Sequence, residues 1–311
     1  MLAFGPVPSR RLGRSLGVNN IPPKVCTYSC AYCQLGRTHT MQIERQTFYQ
    51  PQEIIEAVQT KVQMAQSAGE AIDYLTFVAD GEPTLDLNLG QEIKQLKSLG
   101  IKVAVITNGS LIWREDVRAE LQEADWVSLK VDAVQEKIWH QVDRPHRGLT
   151  LEAILKGMLE FSKTFKGELA TETMLIENTN DSQEHIREIA TFLAQLNPDI
   201  AYLSIPTRPP AEEWAHAPSE AVINHAYQIL DKDVEHVEYL IGYEGEAFAL
   251  TGNAEEDLLS ITAVHPMRKE AVETFLKKAG TGWTVIDTLI AQGKLIEVEH
   301  EQNIFYMRKF S

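Results

Sequence analysis

The chain has 311 residues, with 29 Lys and Arg against 44 Asp and Glu, and a formal net charge of −15. That charge disfavours a nucleic-acid footprint over most of the surface. The sequence lacks an 18-residue apolar run and the apolar core of a secretory signal, so we expect a cytoplasmic protein with no membrane partner.

Along the first two thirds of the chain, short apolar segments alternate with amphipathic ones. Strands are predicted at residues 15–18, 74–79, 102–107, 126–131, 168–176 and 200–205, and helices at 51–68, 87–99, 114–123, 151–164, 183–196 and 219–230. This alternation predicts an α/β fold, a parallel sheet with crossover helices. The pattern leaves a doubly wound sheet and a partial barrel open; in both, ligands bind at the carboxyl ends of the strands.

The last part of the chain has a different pattern. Three helices are predicted at residues 258–264, 268–278 and 283–292, followed by strands at 294–299 and 303–308. This order predicts a small winged-helix-like domain, for which nucleic-acid binding and a structural or protein-contact role are alternatives. The predicted divisions are a core at 1–215, a helix and connecting segment that closes the barrel at 216–255, and the C-terminal domain at 256–311.

All three cysteines of the chain fall within eight positions, Cys26, Cys30 and Cys33, with the spacing C-x3-C-x2-C. An odd number this tightly spaced is not a secreted disulfide framework. Three thiolates on one loop predict a soft-metal site. The spacing alone leaves open a zinc site with His39 as fourth ligand and an iron–sulfur cluster with one iron open to substrate.

Polar motifs follow two of the predicted strands. Asp80-Gly81-Glu82-Pro83 comes after the strand at 74–79, and Thr107-Asn108-Gly109 comes after the strand at 102–107. A carboxylate at a strand end suits an ammonium group, and a glycine permits close backbone approach. Asn-Gly is also a turn signal anywhere in a chain.

Taken in order, the cysteine loop VCTYSCAYCQLG, the GEP segment and the TNG segment resemble the signature of the radical S-adenosylmethionine (SAM) superfamily. The resemblance implies a partial (β/α)6 TIM-like barrel, a 4Fe–4S cluster on the three cysteines, and SAM bound at the open iron. It implies that Tyr32 lies beside adenine and that Gly81 and Glu82 hold the amino group of SAM. Asn108, Ser128 and Lys130 are the candidates for its ribose or carboxylate.

Further segments extend the resemblance along nearly the whole chain. Residues 4–20, 127–133, 173–181, 207–210, 242–248 and 261–267 are similar to a widespread radical SAM group related to the wyosine-base tRNA synthase. The similarity to that synthase is confined to the barrel. The synthase carries a second cluster on extra N-terminal cysteines, and no cysteine precedes Cys26, which argues against wyosine synthesis itself.

The residues that face substrate are harder to select. Lys130, Glu172, Tyr202, Ser204 and Arg208 lie on or after later strands and are candidates, with a salt bridge to Asp132 as the alternative role of Lys130. Tyr243, Glu244, Gly245 and His265 are candidates to close the site; a linker turn and a helix start are the alternatives, and the helix start is preferred for His265.

Three functions remain open at this point. The first is a radical SAM enzyme acting on a nucleoside or tRNA, and the second is one acting on a small metabolite or a partner protein. Both need a one-electron donor such as flavodoxin or ferredoxin. The third is a non-catalytic metal-binding regulator that uses a winged helix.

The surface charge discriminates the first two functions. A basic stripe from the barrel mouth to the third helix of the tail favours the first, and an acidic mouth favours the second. The basic candidates are Arg10, Arg11, Arg14, Lys24, Arg144, His146, Arg147 and Arg208, unless these are scattered surface charges.

Overall fold

The computed structural model describes residues 1–78, 80–241, 248, 253–264, 266–300 and 302–309. The strands are β1 Ala3–Ser9, β2 Gly13–Val18, β3 Val25–Cys26, β4 Thr40–Met41, β5 Tyr74–Phe77, β6 Lys102–Thr107, β7 Trp126–Lys130, β8 Glu168–Met174, β9 Ile200–Ser204, β10 Val237–Leu240, β11 Met267–Arg268, β12 Leu295–His300 and β13 Asn303–Arg308. The helices are α1 Pro51–Ser67, α2 Leu89–Lys97, α3 Glu115–Leu121, α4 Glu136–Val142, α5 Leu151–Ser162, α6 Gln183–Leu196, α7 Glu220–Leu230, α8 Ala254–Val264, α9 Lys269–Lys278 and α10 Thr284–Ala291, with a 3-10 turn at Pro83–Leu85. None of the helices in these ranges is long and apolar enough to cross a membrane.

One eight-stranded sheet organises the first 240 residues, in the order β1-β2-β5-β6-β7-β8-β9-β10. Strands β2 to β10 of this sheet pair in parallel, and β1 pairs with β2 in the antiparallel direction. Because each parallel strand lies beside the next one in the chain, the sheet winds in one direction and curls into a half-barrel. The predicted α/β architecture is confirmed, but the predicted count of six strands is wrong: β1 and β10 are also in the sheet.

Both of the additional strands lie at the edges of the sheet. β1 contains Pro6 and Pro8, and proline in a strand is tolerated at an edge because it lacks a backbone donor. β10 has only four residues and its two central side chains are exposed, so the sequence shows no buried run there. Residues 216–255, predicted as a helix and connecting segment, therefore also supply a strand.

Apolar side chains fill both faces of the sheet. Alternate residues such as Val103 and Val105 of β6 pack outward against the helices, where α1 buries Ile54, Val58 and Val62 at helical spacing. On the inner face, an apolar cluster fills the narrow base of the half-barrel; its members are Leu12, Ala104, Trp126, Ala170, Ile200, Tyr202 and Leu240. The polar residues of the lumen lie above this base, toward the carboxyl ends of the strands.

The C-terminal unit runs in the order α8, β11, α9, α10, β12, β13 and forms an antiparallel sheet in the order β11-β13-β12. It contains the three helices and the hairpin predicted for the tail, with β11 as an added strand. Phe4 and Val7 of β1 pack into the same core as Leu258 and Ile261 of α8. The unit therefore covers the outer edge of the half-barrel, where unpaired backbone groups would otherwise be exposed.

Candidate cofactor site

A cavity of ≈ 310 Å³ opens at the carboxyl ends of the parallel strands. Most of the residues predicted for the site line it: Cys26, Cys30, Tyr32, Cys33, Gly81, Glu82, Asn108, Lys130, Glu172, Ser204 and Arg208. Ser128 and Tyr202 are buried outside the lining. Tyr243, Glu244, Gly245 and His265 fall outside the described residues.

The three cysteines are free thiols on the loop that follows β2. Burial raises the pKa of all three, that of Cys26 to about 12, and neighbouring cysteines add to the effect at Cys26 and Cys30. Thiols with raised pKa values suit a metal centre, since bound metal ions supply the positive charge that thiolates need.

The chemistry and placement of these donors fit an iron–sulfur cluster. In the described part of the chain, no group of three or more His, Cys, Asp or Glu side chains converges on a point that suits a single ion. His39, the fourth zinc ligand considered from the sequence, is exposed and does not line the cavity. Thiolates that each bind a different iron atom do not need to converge on one point.

Gly81 lies directly beneath the cysteine loop. A Cβ atom at this position would lie 1.8 Å from the carbonyl oxygen of Val25, the residue before Cys26. The backbone of the GEP segment also bonds the loop on either side: Glu82 N donates to Val25 O at 3.2 Å, and Lys24 N donates to Asp80 O at 2.7 Å. The glycine is therefore required for the close approach of two backbone segments.

Glu82 joins the GEP and TNG segments. Its Oε1 accepts from the hydroxyls of Thr84 and Thr107, both at 2.6 Å, and from Thr84 N at 3.0 Å, while its Oε2 accepts from Asn108 N at 2.9 Å. Burial raises the pKa of Glu82, and these donors oppose that rise by stabilising the carboxylate. Each carboxylate oxygen offers about two acceptor positions, so the three donors saturate Oε1, whereas Oε2 accepts one hydrogen bond and keeps one position.

Asn108 holds the cysteine loop rather than presenting free donors to a ligand. Its Nδ2 donates to Thr27 Oγ1 at 2.8 Å and to Cys26 Sγ at 3.7 Å, and its Oδ1 accepts from Ser110 N at 2.9 Å. Both amide hydrogens are thus engaged with the loop. Asn108 also lines the cavity, and its contact with the ribose or carboxylate of SAM stays a prediction.

Lys130 is paired with two buried carboxylates. Its Nζ lies 3.2 Å from Asp132 Oδ1 and 3.2 Å from Glu172 Oε1. Burial by itself would lower the pKa of Lys130, but the two carboxylates outweigh it and raise the pKa. The salt bridge to Asp132 considered from the sequence is present.

Tyr32 is held by the same network. Its hydroxyl donates to Asp132 Oδ2 at 2.5 Å, and Lys130 Nζ lies 5.0 Å from the centre of its ring. A cation over an aromatic face is attracted to the ring. The orientation of this aromatic residue on the cysteine loop therefore depends on two side chains of the lumen.

Four important residues were missed or assigned no role in the lumen. Arg10 and Arg11, from the turn between β1 and β2, line the cavity; Arg11 pairs with Glu172, and Arg10 donates to the carbonyl of Leu240. Their only signal was their positive charge. Asp132 had been considered only as a partner of Lys130.

Asp143 was missed entirely, and it lies beside a cysteine. Its Oδ1 is 3.6 Å from Cys30 Sγ, and burial, together with the charge of Asp132, raises its pKa well above the usual range. It follows α4, a helix that the sequence pattern did not predict. Arg208, by contrast, was predicted, and its Nη1 donates to Gln34 Oε1 at 2.6 Å just after the last cysteine.

The arrangement can be compared with known proteins. Residues 20–193 match the radical SAM superfamily, and the cysteine loop, the GEP and TNG segments, Lys130, Asp132 and Glu172 all lie within the matched region. The chain belongs to the radical SAM superfamily. The cofactors of this superfamily are a 4Fe–4S cluster and SAM.

A relative extends the assignment to the whole chain. The UPF0026 protein MJ1312 of Methanocaldococcus jannaschii is 47% identical over 309 residues, which are 99% of this chain and 96% of that protein. This radical SAM protein therefore belongs to the UPF0026 family as well.

Two solved structures share the fold at low sequence identity. A radical SAM methyltransferase from Sphaerobacter thermophilus has a TM-score of 0.59 and 17% identity, covering 73% of this chain and 66% of its own. TYW1 with a lysine-pyruvate adduct bound has a TM-score of 0.56 and 18% identity, covering 71% of this chain and 74% of its own.

Proposed function

We propose that this protein is an enzyme that cleaves SAM reductively and uses the resulting radical on a nucleoside within RNA. One observation carries the first half of the proposal: three partly buried thiols, residues of the GEP and TNG segments, and Lys130 with its partner Glu172 all line one cavity. Cys26, Cys30 and Cys33 would hold the 4Fe–4S cluster. When bound, that cluster supplies the electron that breaks the S–C5′ bond of SAM to give methionine and a 5′-deoxyadenosyl radical.

In this proposal, residues of this chain bind SAM and orient it. The ring of Tyr32, fixed by Asp132 and Lys130, offers an aromatic face next to the cysteines for the adenine. Glu82 supplies negative charge at a strand end for the ammonium of SAM. Lys130, already paired with Asp132 and Glu172, acts as a positioning residue for Tyr32.

The lumen also limits the access of water. Its base is filled by Trp126, Tyr202 and the other members of the apolar cluster, which exclude water from that end. Exclusion of water protects a reactive radical from side reactions. Tyr202 belongs to this base, and Ser128 is buried outside the cavity lining.

RNA is proposed as the substrate on two grounds. The first is the similarity of the chain to the group related to the wyosine-base tRNA synthase. The second is the charge of the cavity lining, where Arg10, Arg11, Lys24, Lys130 and Arg208 outnumber the acidic side chains Asp80, Glu82 and Glu172. In this proposal, α8 to β13 form a winged-helix-like domain that docks the RNA, and a flavodoxin or ferredoxin delivers the electron.

The test is an anaerobic assay. The protein is reconstituted with iron and sulfide, reduced with dithionite and given SAM, and 5′-deoxyadenosine is measured for the wild type and for Cys30→Ala. The proposal requires the product in the wild type and its loss in the variant. A reconstituted wild type that binds no SAM by calorimetry would overturn it in favour of a metal-binding regulator.

A further inference from the structure

A second cavity, of ≈ 320 Å³, separates the cysteine loop from the C-terminal sheet. We call it the cleft. Its lining comprises Lys24, Gln34, Leu35 and Gly36 of the cysteine loop, Pro209 and Pro210 after β9, Thr262 and Pro266, and Ile296, Val298, Met307, Arg308 and Lys309 of the C-terminal hairpin and the residue after it. Four of these residues, at positions 24 and 34–36, also line the cofactor cavity, so the two cavities adjoin.

The lining of the cleft is positively charged, in contrast to the chain as a whole. Lys24, Arg308 and Lys309 line the cleft, and none of the described residues in its lining is acidic, although the chain as a whole carries a net charge of −15. A local positive potential of this kind attracts anions.

An apolar strip lies beside these cations. Ile296 pairs with Met307 across β12 and β13, and Val298 is on the same face, two residues along β12. On the opposite face of the hairpin, Leu295 and Tyr306 pack into the core of the C-terminal unit. The strip is therefore the outer face of the sheet, and Ile296 is 37% exposed.

Helix α10, by contrast, does not extend the positive surface. Its sequence, TVIDTLIA, has no Lys or Arg and one acidic residue, Asp287. The basic residues that continue from the barrel mouth thus lead to the end of β13 instead of to the third helix. Recognition by insertion of that helix, as in a helix-turn-helix protein, is not what this charge pattern favours.

We infer that the cleft binds a single-stranded segment of RNA and leads the adjacent nucleoside into the cofactor cavity. Phosphates lie against Lys24, Arg308 and Lys309, and a base or ribose packs against the strip of Ile296, Val298 and Met307. Cations beside an apolar strip match the phosphates and bases of a single strand. The inference rests on the proposed function for the choice of RNA.

The test measures binding of a labelled, mixed-sequence single-stranded RNA to the full-length reconstituted protein by fluorescence anisotropy. Lys309→Glu is compared with Lys277→Glu, an exposed lysine of α9 that does not line the cleft. The two variants have the same net charge, so a difference between them reports the location of the charge. We expect Lys309→Glu to weaken binding about ten-fold and to reduce the salt dependence by about one ion, and Lys277→Glu to change binding less than about two-fold.

A second pair of variants tests the apolar strip. Ile296 and Ile290 are both 37% exposed, but Ile290 lies on α10 and outside the cleft. Ile296→Ser is expected to weaken RNA binding several-fold more than Ile290→Ser, with thermal unfolding showing that all four variants fold. Equal effects within either pair would overturn the inference.

Two competitors distinguish RNA from other anionic ligands. Displacement of the RNA by adenosine monophosphate at comparable concentration would identify a free nucleotide as the ligand of the cleft. Displacement by poly-glutamate would identify an acidic protein. If 5′-deoxyadenosine forms but no RNA binds, the inference about the cleft and the choice of RNA as substrate fail, while the proposed cleavage of SAM stands. If RNA binds through Lys309 but no 5′-deoxyadenosine forms, the cleft stands and the proposed radical chemistry fails.

Discussion

The side-chain amide of Asn108 donates to the sulfur atom of Cys26 over 3.7 Å and, through the same nitrogen, to the hydroxyl of Thr27 over 2.8 Å. The end of β6 is thereby fastened to the first cysteine of the loop. A hydrogen bond to a ligating sulfur stabilises the more negative, reduced state of a cluster relative to the oxidised state.

Replacement of Asn108 by Ala is therefore expected to make the reduction potential of the reconstituted cluster more negative. A hydrogen bond worth about 1 kcal/mol more in the reduced state corresponds to roughly 40 mV for one electron. A redox titration followed by electron paramagnetic resonance measures the shift. Asn88→Ala, which removes an exposed side-chain bond to Thr47, serves as the control, and equal potentials for the two variants would refute the role of Asn108.

Gly81→Ala is expected to disturb the cysteine loop, because the new Cβ atom would lie 1.8 Å from the carbonyl oxygen of Val25. Backbone must move on one side or the other, at a cost of about 1–3 kcal/mol in the free energy of unfolding. Urea denaturation and iron content after reconstitution measure the two consequences. Gly282→Ala is the matched control, since no atom lies within 4 Å of its new Cβ, and a loss of similar size there would contradict the explanation.

The sequence was sufficient to predict which segments meet at the site. The cysteine loop, the GEP segment and the TNG segment each follow a strand, and parallel strands place their carboxyl ends at one edge of the sheet. All three segments line the same cavity. Arg11 and Asp143 were beyond such reasoning, because one reaches Glu172 from an edge hairpin and the other reaches Cys30 from the end of a short helix.

The depth of each side chain within the lumen was also beyond prediction from the sequence. The period of a strand places Ser128 and Lys130 on the same face of β7, but it does not say how far each lies from the opening. Two residues along a strand correspond to about 7 Å, and Ser128 is that much closer to the apolar base. Tyr202 lies at the base for the same reason, two residues before Ser204, and its burial raises its pKa to about 12.

The ion pair of Lys130 and Glu172 is expected to stabilise the lumen only as a unit. Burial opposes ionisation of Glu172, yet Lys130 and Arg11 together lower its pKa well below the usual range. Lys130→Met would leave two carboxylates with less compensation and is expected to cost about 3–5 kcal/mol. The double variant Lys130→Met, Glu172→Gln should lose clearly less than the sum of the single variants. Urea denaturation of all four proteins measures the coupling, and additive losses would show that the pair is not coupled.

A second group of buried acids lies behind the GEP segment. Glu92 of α2 and Asp86 are both fully buried, and neither oxygen of Glu92 has a hydrogen-bond donor among the described residues. Burial and the adjacent charge of Asp86 raise the pKa of Glu92 to about 9. We therefore expect Glu92 to be protonated in the folded protein at neutral pH, which removes the repulsion between its charge and that of Asp86.

This assignment predicts how stability depends on pH. In the unfolded chain Glu92 loses its proton near pH 4.3, whereas in the folded protein it keeps it to about pH 9. Between these values the unfolded state binds fewer protons, so the contribution of Glu92 to stability falls as the pH rises and is unaffected below the window. Glu92→Gln carries no proton to lose and should be more stable than the wild type by on the order of 4 kcal/mol at pH 7.5, with no advantage at pH 4. Urea denaturation across this range measures the difference, with Glu273→Gln, an exposed glutamate of α9, as the control. An advantage of Glu92→Gln that did not change with pH would show that Glu92 is ionised in the folded protein.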